Sequence, residues 1–113
     1  MISLPSARRY YLYSHTTDMR KSFNGLCGLV NNEMGKSLHN GDGFIFINKR
    51  RTLIKILMWD RTGFVIYYKK LASGTIERPK DNADQISVTT LMLMLEGVEL
   101  KSSRLRKRYR KSA

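Results

Sequence analysis

Three runs in the middle of the chain are built from β-branched and aromatic residues: Phe44–Ile47, Leu53–Trp59 and Phe64–Tyr68. The polar links between them, Asn48–Thr52 and Asp60–Gly63, have hairpin length, which predicts an antiparallel meander. In the central run Leu53, Lys55, Leu57 and Trp59 alternate with Ile54, Ile56 and Met58. A strand that is apolar on nearly both faces is either covered on both sides or paired with another subunit. Arg8–Tyr13 reads as a further short strand, and a weaker one is expected around Thr75–Arg78, ended by Pro79.

Helical spacing brackets the meander. Met19, Phe23, Leu26, Val30 and Met34 fall on one stripe, predicting a helix over 17–34 with Thr17 or Asp18 as its N-cap and Gly35 as its stop. Gly25 and Gly28 inside it point to a close backbone approach or a bend. Asp81–Ile86 is polar and loop-like. Ser87 then caps a second helix over 87–96, with Leu91, Met94, Leu95 and Val98 as its buried stripe and Gly97 as its stop. The expected fold class is α+β. An antiparallel β-meander of about four to five strands packs against two α-helices in one domain over residues 1–100, and a disordered basic tail follows over 101–113.

Charge changes this picture most. The formal net charge is +12, and residues 1–100 still carry +5 without the tail. The tail adds Lys101, Arg104, Arg106, Lys107, Arg108, Arg110 and Lys111 with no acid. Cations that neutralise phosphates release condensed counterions, giving salt-sensitive affinity for nucleic acid. A membrane is a poorer partner, because the tail lacks the broad apolar face of an interfacial helix and no run is long enough to span a bilayer. The start of the chain does not read as a secretory signal, so a cytoplasmic protein is expected. The single cysteine, Cys27, excludes an intramolecular disulfide and reads as a small packed residue.

Candidate chemistry follows the charge. Lys49, Arg50 and Arg51 share one hairpin loop, and Lys55, Arg61, Lys69 and Lys70 lie on the meander against one acid, Asp60. A hairpin tip of this kind reaches a phosphate backbone or a groove. Arg20 and Lys21 read as lying in the first turn of helix one, where they either hold a phosphate or, for Arg20, pair with Asp18 or Asp60. Phe44, Phe46, Phe64 and Trp59 read as core, whereas the tyrosines fit either core or base stacking. His15 and His39 have no ligand-like spacing and read as loop residues. No metal, cofactor or catalytic set is expected, and the acids each have a structural reason to be where they are. A metal-dependent nuclease is the weakest alternative.

Several segments together resemble a known family. Thr17-Asp18-Met19-Arg20-Lys21-Ser22-Phe23-Asn24-Gly25-Leu26, Leu57-Met58-Trp59-Asp60-Arg61-Thr62-Gly63-Phe64, Tyr68-Lys69-Lys70-Leu71 and Leu95-Glu96-Gly97-Val98 resemble, in order, the TnpB-type second-reading-frame protein of the insertion-sequence-66 family. Ser22, Asn24, Met58 and Ala72 stand where that pattern has Gly, Asp, Trp and Glu. The resemblance implies a bacterial accessory protein for DNA transposition, working beside a separate transposase that carries the DNA-cleaving carboxylates and beside other element-encoded proteins. A non-catalytic role is expected for it. DNA binding through the basic hairpin and tail fits that role. A protein-interaction adaptor, homodimeric or transposase-bound through the two-sided strand and the Met92/Met94 helix, is the other reading. An RNA partner fits the charge equally and is set aside only by the resemblance.

Overall fold

A mixed five-stranded sheet forms the centre of the computed structural model, which describes residues 8–80, 83–100 and 104–105. Its strands are β1 (Tyr10–Leu12), β2 (Gly43–Ile47), β3 (Leu53–Trp59), β4 (Phe64–Lys70) and β5 (Gln85–Ile86), in the spatial order β4-β3-β2-β1-β5. The β2–β3–β4 meander is antiparallel as expected, in the register Phe44↔Leu57, Ile56↔Tyr67 and Trp59↔Phe64. The α+β fold class is therefore present, with a parallel pair added to it. β1 runs parallel to β2, because the intervening helix α1 (Phe23–Leu29) carries the chain back across the sheet. β5, expected as loop, pairs antiparallel with β1 and closes that edge.

Alternation along the strands sends one set of side chains to each face. Tyr11, Tyr13, Phe44, Phe46 and Leu57 pack with Leu26 and Val30 on the α1 side. Tyr10, Leu12, Ile45, Ile47, Ile54, Ile56 and Met58 pack with Leu91, Met94 and Leu95 of α2 (Val88–Leu95) on the other. The two-sided apolar character of β3 is thus satisfied inside one chain, by a helix over each face. Met94 is fully buried and Met92 packs against the same cluster.

Helix boundaries differ in one place that matters for the site. Ser87 caps α2 as expected, its Oγ accepting from the Thr90 amide at 3.1 Å, and Gly97 follows in the left-handed region. α1 starts only at Phe23, five residues beyond Asp18. Asp18 instead closes a local turn, its Oδ1 accepting from the Arg20 amide and its carbonyl from the Lys21 amide. α1 then passes into a π-helical turn, Val30–Met34, which stops at Gly35 with φ +65°. Thr75–Arg78 is not a strand; the Ile76 amide donates to the Arg51 carbonyl, and no ladder forms. Val98–Glu99 (β6) pairs with Arg104–Leu105 (β7), and the remainder of the basic tail lies outside the described residues.

Candidate nucleic-acid interface

The loop between β2 and β3 is fixed by one side chain. Asn48 Oδ1 accepts from the Thr52 and Leu53 amides, both at 2.9 Å, and its Nδ2 donates to Thr52 Oγ1 at 3.3 Å. The Arg51 amide donates to the Asn48 carbonyl, and Arg51 takes a left-handed conformation, φ 58°, to complete the turn. Lys49, Arg50 and Arg51 are therefore exposed on a loop of defined shape. Lys70 reaches the same end of the sheet, because β4 is antiparallel to β3 and Lys70 pairs with Leu53.

The segment before α1 meets this loop. An open groove of about 490 Å³ runs between Thr16–Met19 and Asn48–Arg50, floored by Leu53. Thr17 is buried at its edge, its amide donating to the Ile47 carbonyl and its Oγ1 left without a partner. What holds the segment down is Lys55. Its ammonium, on a side chain only 6% exposed, donates to the Met19 carbonyl at 2.9 Å and the Lys21 carbonyl at 2.8 Å. Hydrogen bonds from a charged donor contribute about 1.5–3 kcal/mol each, which offsets the cost of taking the ammonium out of water. The same ammonium lies 4.6 Å from the centre of the Tyr68 ring.

Among the basic residues singled out from the sequence, the fold brings Lys21, Lys49, Arg50, Arg51 and Lys70 to one end of the sheet. Arg20 is there too, but its guanidinium grips Asp18, with Nη2 at 2.6 Å from Oδ2. Arg20 and Lys21 precede α1 instead of occupying its first turn, so the expected phosphate site on exposed helix amides does not form there. Hydrogen bonds from Arg20 hold the Asp18 carboxyl down at about 2. Lys55 faces inward as a strut, and Lys69 Nζ donates to the Leu95 carbonyl at the end of α2. Arg61 sits on the other hairpin, seven strand residues away along β3, or about 23 Å. Arg104 belongs to β7, and Arg106, Lys107, Arg108, Arg110 and Lys111 lie outside the described residues.

One cation was missed in the sequence. Arg78, half-buried under the same end, donates to the Tyr13 and His15 carbonyls. Burial, and then the nearby Arg51 charge, pull its pKa below the usual arginine value. Its segment has the sequence of a weak strand, and the adjoining Pro79 is the one local sign that it lies outside the sheet.

The acids are dispersed. Asp42 is buried against Arg9 at 3.0 Å, and Asp84 meets Lys36 at 3.5 Å. Among the described residues no three His, Cys, Asp or Glu side chains converge as metal ligands would. No described helix is long and apolar enough to cross a membrane. His39 packs edge-on against Trp59, with ring centroids 4.7 Å apart, at the opposite end of the sheet.

Comparison with known proteins agrees with the residues. The family described as "IS66 Orf2 like protein" matches residues 8–105, which takes in both helices, the whole sheet and β7. The chain belongs to this IS66 Orf2-like family. It is also 30% identical over 101 residues to "Uncharacterized protein y4jC" of Sinorhizobium fredii (strain NBRC 101917 / NGR234), covering 88% of this chain and 86% of that protein. No solved structure matches the chain significantly. Membership in the IS66 Orf2-like family makes the chain an accessory protein of insertion-sequence transposition. The Thr17–Leu26 and Leu57–Phe64 segments that carried the resemblance lie, respectively, along the groove and α1, and along β3 into its second hairpin.

Proposed function

We propose that this IS66 Orf2-like protein is a non-catalytic DNA-binding factor that helps assemble the transposase complex on element DNA. The observation that carries the reading is the end of the sheet bearing Lys21, Lys49, Arg50, Arg51 and Lys70, whose side chains have no carboxylate partner among the described residues. A row of free cations on a pre-shaped loop costs little ordering entropy when phosphates arrive. The tail residues Arg106–Lys111 add sequence-independent attraction, and the protein then acts in the cytoplasm at the bacterial nucleoid with the transposase beside it.

The test is binding of the full chain to a duplex carrying the element's terminal repeats and to a scrambled duplex, across a salt series. Replacing Lys49, Arg50 and Arg51 by alanine should weaken both complexes. It should also make the slope of log K against log salt shallower by about 2 to 3, since each phosphate contact contributes roughly 0.9. An unchanged slope removes the hairpin from the footprint.

A further inference from the structure

Two large apolar side chains are exposed among the described residues, Phe23 at 44% and Tyr68 at 50%. Tyr68 lies toward the basic end of the sheet, and Phe23 follows two residues after Lys21, whose carbonyl Lys55 holds there. Their exposure follows from where the cover of α1 begins. α1 covers β1, β2 and β3 through Leu26 and Val30, with Phe64 and Ile66 of β4 at its margin. Tyr68, two residues further along β4, lies past that cover. Phe23 is the first residue of α1, two positions after Lys21.

The surroundings of Tyr68 are cationic. Register places it opposite Lys55, whose ammonium stands against its ring and at the same time holds the Lys21 carbonyl, so Tyr68 is tied to the segment carrying Lys21. Lys70 follows on the same face of β4, opposite Leu53, and Leu53 floors the groove flanked by Lys49 and Arg50. The nearest acid along that groove, Asp18, is neutralised by Arg20. An apolar protein partner gains nothing from this ring of charge, whereas a polyanion with flat apolar faces satisfies both features.

We infer that this end of the sheet binds single-stranded DNA, with an unpaired base stacked on Tyr68 and the phosphates tracked by Lys70, Lys21 and the Lys49–Arg50 wall of the groove. The inference rests on the DNA-binding reading above and narrows its substrate. Duplex bases are already stacked on one another, so a ring standing on a sheet face finds a partner only in an unpaired strand. The buried ammonium of Lys55 makes the site more than a chance exposure, because it holds the ring from below. Phe23 offers a second apolar face next to Lys21.

The full-length protein, its Tyr68→Leu variant and its Tyr68→Phe variant are titrated into labelled oligothymidylate of about a dozen nucleotides, a site size within the usual range. A hairpin duplex of equal length serves as the second probe. Wild type should bind the single strand, and Tyr68→Leu should weaken that binding by at least about fivefold, the lower limit for loss of one base–aromatic stack. Tyr68→Phe keeps the π face and should bind as wild type. Duplex affinity and the single-strand salt slope should stay the same in all three proteins, since no phosphate contact is removed.

Trp59, the chain's sole tryptophan, lies at the other end of β3, and its emission should not respond to the single strand. Equal single-strand binding by Tyr68→Leu overturns the inference, and so does a parallel loss on duplex, which would make Tyr68 a support for the fold. Quenching of Trp59 moves the stack elsewhere and overturns it as well. Binding to duplex without single strand sinks this inference and leaves the DNA-binding reading standing; binding to neither sinks both.

Discussion

Asn48 allows the shape of the basic loop to be separated from its charge. Replacing it with alanine leaves the Thr52 and Leu53 amides, both on half-buried residues, without their acceptor at 2.9 Å, and frees Thr52 Oγ1. Two backbone-to-side-chain hydrogen bonds at about 0.5–1.5 kcal/mol each set the loss near 1–3 kcal/mol. For a domain of this size, each kcal/mol lowers Tm by about 4–8 °C. Asn48→Asp keeps an oxygen in the same place, and a carboxylate accepts from amides more strongly than an amide oxygen does. Its stability at neutral pH should stay within about 0.5 kcal/mol of wild type or rise.

DNA binding should separate the two variants in the opposite sense. Asn48→Asp puts a negative charge next to Lys49 and should weaken binding while the fold holds. Asn48→Ala alters no charge, so its salt slope should match wild type at matched folded fraction. Urea unfolding followed by Trp59 emission and by far-ultraviolet circular dichroism reads the stability, and titration of labelled duplex reads the affinity. If the alanine variant unfolds at the same urea concentration as wild type, the side chain does not hold the loop and the reasoning fails.

Two further outcomes are expected. Gly43→Ala would place a methyl 2.6 Å from Cδ1 of the fully buried Tyr10 ring, its partner across the parallel β1–β2 pair, and should cost about 1–3 kcal/mol in urea unfolding. A neutral substitution would contradict that close approach. The Asp18 carboxyl should titrate at about 2 by carbon NMR and move back toward 3.8 in Arg20→Gln. Because its pKa is depressed in the folded protein, the pair's contribution is present above pH 3.8 and is lost as pH falls toward 2. A midpoint near 3.8 in wild type would mean that the ion pair does not form in solution.

The parts legible from the chain are those where local pattern and tertiary contacts agree. The three meander strands announced themselves by β-branched and aromatic runs with hairpin links, and α2 by Ser87, Gly97 and a stripe whose four members are all buried. The start of α1 was hidden because Met19 continues the helical stripe, while Asp18 spends its oxygens on a turn. β1 was visible as a strand but not as a parallel one, since its partner depends on which way α1 returns. β5 is two residues long and polar at Gln85, so nothing local marks it.

At the candidate site, the hairpin cations were readable from composition alone. The inward turn of Lys55 was not, although its place in the apolar series Leu53, Leu57, Trp59 was the available signal. Which tyrosine is exposed required the fold: Tyr11 and Tyr13 are buried on the α1 face and Tyr10 on the α2 face, whereas Tyr68 falls past the cover of α1.

The placement of β1 has a consequence for how the molecule is made. Tyr10–Leu12 leaves the ribosome first among the strands, yet it sits between β2 and β5 and is finished only when Ile86 pairs with Tyr10. At about 5–20 residues per second, roughly 4–15 s pass between those two events. During that interval the apolar segment Gly43–Ile47 can already pair with β3, while β1 beside it still lacks its outer neighbour. An unpaired strand edge is open to pairing with other chains. The nascent protein therefore depends on the stretch from β4 to β5 arriving promptly, and slowed translation between Lys70 and Ile86 should lower its soluble yield without changing a residue.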